Sequence, residues 1–258
     1  MKRELHIFFN ALTYYTRLRA PSGVEYKNAY LRETPKYFPL IGWIVAFIGI
    51  AVLAAAWSAF SPAIAILLSM AATILATGAF HEDGFADSCD AFGGGWEKAQ
   101  VLAIMKDSRL GTYGVIGLIL LLGLKFLVLW EIGSVSFGLL LGSLWCGHTW
   151  SRFFAARLIQ THQYVRDGSS SKSKPITSSR MAPGSVAVGA LFACASLLGL
   201  LHAPVLILAL VPAFLVKNAA GWYFNFRLGG YTGDCLGAVQ QITEVTFYLG
   251  VLALWNLL

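Results

Sequence analysis

The chain is 258 residues long, 57% hydrophobic and only 12% charged, with a formal net charge of +6. Soluble domains carry about 25% charged residues, so a single water-soluble core cannot hide this much apolar surface, and lipid must cover part of it. The positive balance does not point to nucleic acid, because the basic residues flank apolar runs, where topology and anionic lipid account for them.

In chain order, the stretch 5–18 mixes aromatic and charged residues and predicts an amphipathic helix at the membrane interface. It lacks the apolar core and cleavage site of a secretory signal, so the N-terminus is expected to stay in the mature protein. Apolar runs long enough to cross about 30 Å of hydrocarbon follow at 39–60, 62–80, 113–131, 134–151, 186–202, 204–221 and 239–257. The expected fold is all-α, a polytopic integral membrane bundle of about seven transmembrane helices forming one domain over 1–258. Threading the runs alternately from an internal N-terminus brings every Lys and Arg except Lys125 to one side, which is then the cytoplasm. That side receives the loops 81–114 and 227–238 and the Ser-rich segment 167–180, which reads as a mobile loop. Lys125 lies inside an apolar run and needs a polar cavity, a carboxylate partner or a headgroup. Cys89, Cys146, Cys194 and Cys235 form no CxxC pair and support neither a zinc site nor a disulfide framework.

The densest chemistry lies in 78–114, which holds six carboxylates. If 82–91 is helical, Asp83, Asp87 and Asp90 sit at roughly 0°, 40° and −20° around the axis, on one narrow face. Like charges so close repel unless a cation lies between them, and oxygen-only donors favour Mg²⁺ or Mn²⁺ over zinc. The plainer alternative is a solvated acidic face. Further along, Lys106, Asp107 and Arg109 stand beside Gly111 and Gly114. Asp107 is a candidate fourth ligand and Arg109 a fork for phosphate oxygens, or the two simply pair with each other. A second cluster, RLGGYTGDCLGA at 227–238, opens the last apolar run; its Asp234 either joins the site or caps the helix, capping being the more common role. Glu244 is an intramembrane carboxylate with a functional or a helix-bonding role. His81 points away from the aspartate face, which suits a supporting donor or a general base better than a metal ligand.

Carboxylate-held metal beside arginine and glycine-rich backbone is equipment for phosphoryl-group transfer, with a diphosphate the expected substrate. No GxxxxGK[ST] loop and no HExxH helix occur, which speaks against an ATP-driven pump and a zinc protease.

Across nearly its whole length the sequence resembles the cobalamin synthase family, the adenosylcobinamide-GDP ribazoletransferases. The resemblance is carried by TRL at 16–18, FPLIG at 38–42, GAFHEDGFADSCDAF at 78–92, KDSRLGTYG at 106–114, SR at 151–152, YVR at 164–166 and GGYTGD followed by LGA. It implies an enzyme that joins adenosylcobinamide-GDP to α-ribazole or its 5′-phosphate, releases GMP and requires Mg²⁺. It further implies catalytic roles for Asp83, Asp87, Asp90, Asp107 and His81, with metal held by those four aspartates and Asp234. Substrate contacts are implied for Lys106, Arg109, Arg152, Gly230, Gly233 and Glu244. The setting it implies is the inner (plasma) membrane with a cytoplasmic active site, contact with lipid, and room for a homo-oligomer or for partners in cobalamin assembly. Two positions depart from the family pattern: Glu82 stands where an apolar residue is usual, and Gln241 where an acid is frequent one turn before Glu244. Two rival readings remain: a CDP-alcohol phosphotransferase, whose DGxxAR order is not met, and an ion-coupled transporter relaying through Asp90, Lys125 and Glu244.

Overall fold

A computed structural model of the chain describes residues 2–166, 176 and 180–257. The segment 167–180, expected as a mobile loop, lies outside the described residues apart from Ile176 and Arg180. Among the described residues there is no strand, only an isolated bridge between Tyr164 and Tyr231.

Every apolar run of the sequence is a helix. They are α3 (Phe38–Trp57), α4 (Pro62–Thr77), α7 (Thr112–Val135), α8 (Phe137–Thr161), α9 (Pro183–Ser196), α10 (Leu210–Leu228) and α11 (Gly233–Trp255), with 3₁₀ turns at Leu197–Leu200 and Pro204–Ala209 extending α9 and α10. Pro62 and Pro183 occupy first-turn positions, where the missing N–H costs nothing. The expected interfacial helix is α1 (Lys2–Tyr15), whose Ile7, Asn10, Ala11, Leu12 and Tyr15 are buried along one side. Tyr15 stacks on Phe38 at 4.1 Å between ring centroids, which ties α1 to the start of α3. The remaining helices are the short α2 (Asn28–Leu31), α5 (Phe80–Gly94) and α6 (Lys98–Ile104).

Five helical segments are long and apolar enough to cross a membrane, or six if α4 and α5 count as one bent span. The expected number was about seven, and the difference has two physical causes. α4 has 16 residues and ends in the left-handed pair Gly78 (φ 68°) and Ala79 (φ 56°), which turns α5 away by 88°. α5 therefore leaves the line of α4, and the pair forms a broken span or a re-entrant turn rather than one straight crossing. α8 is long enough but too polar, and the reason is its place in the bundle: most of its length, from Leu139 to Ile159, is buried against other helices and never meets lipid. Outward positions are apolar instead. Phe47, Leu75, Ile119, Leu120, Leu191 and Leu215 are all exposed, the inverse of a soluble protein and the arrangement lipid requires.

α11 is the hub of the bundle and packs on α5, α8, α10 and α7. Its contact with α5 is a glycine crossing. A Cβ at Gly84 would lie 3.0 Å from the Asp234 carbonyl oxygen, and one at Gly237 would lie 2.9 Å from that of His81. The two backbones thus approach closely at the start of both helices, where their aspartates stand.

Candidate active site

On α5, Asp83 is exposed and Asp87 half-buried, one turn apart on the face the spacing predicted. Across the glycine crossing stands Asp234, in the first turn of α11. Capping, the more common role for such an aspartate, falls instead to Thr232, whose hydroxyl oxygen accepts from the Cys235 N–H at 3.4 Å. Asp234 keeps its carboxylate for the site, taking one hydrogen bond from the Thr232 hydroxyl at 3.3 Å. Burial, and then the charges of Asp234 and Asp83, push the Asp87 carboxyl up to about 7, with Arg166 pulling the other way.

Arg166 is the cation of this face. Its Nη1 lies 3.4 Å from Asp234 Oδ2 and its Nη2 donates to the Met105 carbonyl at 2.7 Å. It is delivered there by the bridge: Tyr231 N donates to Gln163 O at 2.9 Å and Val165 N to Tyr231 O at 3.0 Å, so the chain leaving α8 is laid against the turn before α11. Gly230 makes that approach feasible, since a Cβ there would fall 2.0 Å from the Gln163 oxygen. Gly230 thus stands at a backbone contact. Gly233 opens α11 beside Asp234.

Other candidates have other partners. Asp90 accepts from the Gly111 and Gly114 N–H groups at 2.7 and 2.8 Å, so both its oxygens serve the N-terminus of α7. Asp107 is clasped by Arg109 through Nε at 3.0 Å and Nη2 at 2.6 Å, which holds its carboxyl down at about 2. The bland alternative, a surface ion pair, is thus the observed one, with the Arg109 side chain 88% exposed. Lys106 is exposed beside it. His81 is buried between Phe38 and Phe80, with ring centroids 5.5 and 5.2 Å away, on the side of α5 opposite the aspartates.

Glu244 and Arg152 are fully buried, in a polar cluster within the bundle and beneath the acidic face. Lys125, the lone basic residue of its run, has the carboxylate partner it needs: its Nζ lies 2.5 Å from Glu244 Oε1. His148 Nδ1 lies 3.2 Å from Glu244 Oε2. The two unusual positions also meet here, with Gln241 Nε2 donating to Glu82 Oε1 at 2.9 Å.

Among the described residues, no three acidic, histidine or cysteine side chains stand close enough together to hold a metal ion as they are placed. The donor chemistry of Asp83, Asp87 and Asp234 still suits a hard divalent cation. All three offer only oxygen, and a bound cation would offset both the burial that chiefly raises the Asp87 carboxyl and the lesser repulsion from Asp234 and Asp83.

A family model described as cobalamin-5-phosphate synthase matches residues 7–252. The chain belongs to the cobalamin-5-phosphate synthase family. Relatives named adenosylcobinamide-GDP ribazoletransferase agree along nearly their full length. The one from Shewanella amazonensis is 42% identical, covering 99% of this chain and 98% of its own. Those from Leptospira interrogans and Leptothrix cholodnii are 41% and 40% identical, covering 99% and 97% of this chain and 98% and 96% of theirs. No solved structure matches the chain. For a cobalamin-5-phosphate synthase, the residue on this face that the sequence motifs did not single out is Arg166. It stood in the YVR motif, but its only signal as a site residue was a basic group following a helix end on the same face as the two aspartate loops.

Proposed function

We propose that this membrane-embedded chain joins adenosylcobinamide-GDP to α-ribazole, or to α-ribazole 5′-phosphate, and releases GMP, as its relatives are named to do, and that the reaction takes place with Mg²⁺ at the face bearing Asp83, Asp87 and Asp234. The observation that carries the reading is the juxtaposition of those carboxylates with Arg166 where α5 crosses α11. In the reaction a ribose hydroxyl oxygen of the acceptor bonds to the phosphorus nearer the cobinamide. The bond from that phosphorus to the bridging oxygen breaks, GMP departs with that oxygen, and the hydroxyl loses its proton. Asp83, Asp87 and Asp234 would hold Mg²⁺, which when bound neutralises diphosphate charge and favours in-line displacement. Arg166, anchored on the Met105 carbonyl, presents a guanidinium edge to phosphate oxygens. His81 is too deeply buried on the other side of α5 to take the proton, which leaves that task to a carboxylate. The Lys and Arg bias along the sequence supports a cytoplasmic position for this face and an inner (plasma) membrane location for the chain.

The test is GMP release by the detergent-purified protein given adenosylcobinamide-GDP and α-ribazole. Release accompanied by a cobalamin product, abolished by a chelator and restored by Mg²⁺, is expected. A folded protein that releases no GMP overturns the assignment, and release that survives chelation overturns the metal.

A further inference from the structure

Below the acidic face, α3, α4, α5, α7, α8 and α11 line a cavity of about 10 Å³. Its polar lining is nearly all spoken for. Glu244 takes Lys125 at 2.5 Å and the Gln240 Nε2 at 2.6 Å, Gln241 Nε2 donates to both Glu82 Oε1 and Gln240 Oε1 at 2.9 Å, and Arg152 Nη1 donates to the His148 carbonyl at 2.8 Å. Of its lining residues, four each keep one buried atom with no protein partner: Glu82 Oε2, Gln241 Oε1, Arg152 Nε and His81 Nε2. All four side chains line this one cavity. Two of the atoms are acceptors, the guanidinium Nε is a fixed donor, and the imidazole nitrogen serves as either. That set is the complement of a single water, with its two O–H groups and two lone pairs, and the cavity has room for about one water.

We propose that this cavity holds one structural water bound by Glu82, Gln241, Arg152 and His81, and that the water and the Glu82–Gln241 bond together make Glu82 and Gln241 positioning residues for the acidic face. Glu82 immediately precedes Asp83, and Gln241 lies one helical turn beyond Gly237 on α11. A bond between them fixes how far α5 slides and turns over the glycine crossing, and so sets how Asp83 and Asp87 face Asp234. Leaving four polar atoms unpaired inside a bundle would oppose that arrangement, and a four-bonded water removes the penalty. The consequence for turnover rests on the function proposed above, while the water does not.

Two measurements test it. The first is a structure of the full chain in lipid nanodiscs at a resolution that shows ordered water. A peak within hydrogen-bond reach of at least three of the four atoms is expected; an empty cavity, or direct pairing of those atoms with one another, overturns the proposal. The second uses Glu82→Gln, Gln241→Glu and the double exchange, with GMP release expressed per folded protein. Each single change unbalances the pair, giving two amides or two carboxylates side by side. The expected result is a fall in kcat of about tenfold with KM within about twofold, and recovery to within about threefold in the double variant, which restores one acid and one amide. A double variant no better than the singles, or singles at full kcat, overturns the positioning role. If the unaltered protein releases no GMP yet shows the water, the functional reading fails and the site stands.

Discussion

At the scale of single residues, carboxylates of similar appearance in the sequence have separate tasks. Asp83 is exposed on a helix surface, so Asp83→Ala should lower GMP release about 100-fold or more while leaving membrane insertion and thermal unfolding unchanged. Asp107→Asn, which loosens only a surface pair with Arg109, should stay within about threefold of normal turnover. Equal losses in the two variants would show that Asp107 reaches the site after all. Arg166→Lys should not restore an Arg166→Gln loss, because a lysine lacks the second N–H edge that lets one head hold both Met105 and Asp234; substrate titrations of the two variants would read this as a shared rise in KM. The Asp83–Asp87 face was legible because an i, i+4 spacing on a helix leaves no other geometry. Asp90 shares that face, and its role was not legible, since its partners are backbone N–H groups 21 and 24 residues away. Arg166 was not legible for a related reason: its position depends on a one-residue bridge to Tyr231, and such a pairing leaves no periodic trace in the sequence.

At the scale of elements, the hydrophobic runs and their order were readable throughout, because hydrocarbon admits helices and little else. What the runs did not reveal was the pair of glycines on which α5 crosses α11. Gly84→Ala and Gly237→Ala each bring a methyl to about 3 Å from a facing carbonyl and should lower the unfolding temperature in detergent, with activity falling further as the aspartate loops are pushed apart. Gly123→Ala is the matched control. Nothing lies within 4 Å of a Cβ there, in the interior of α7, so the change should be neutral or slightly stabilising through helix propensity. A control as damaging as the crossing variants would mean that the losses reflect handling of the membrane protein rather than the contact.

At the scale of the whole molecule, the bundle is organised around buried charge. The sequence marked Lys125 and Glu244 as intramembrane ions; the fold makes them partners. Lys125→Met takes the lysine charge from the buried Glu244 carboxylate, leaving it His148 and neutral donors, and should cost about 3 kcal/mol in denaturant unfolding, whereas Lys125→Met combined with Glu244→Gln, which removes both charges, should cost less than the single change. A double variant as unstable as the single one would mean that the pair is not what balances the cluster.

The polar character of α8 has a consequence of parity. Asp87 and Asp234 stand together across the α5–α11 crossing, so in a membrane the chain between them has to traverse the bilayer an even number of times. Counting only the apolar helices gives three traversals, α7, α9 and α10, and would strand the two aspartates in opposite compartments. α8, about 37 Å long from its 25 residues, supplies the fourth, so its two ends must open into different compartments however hydrophilic its sequence looks.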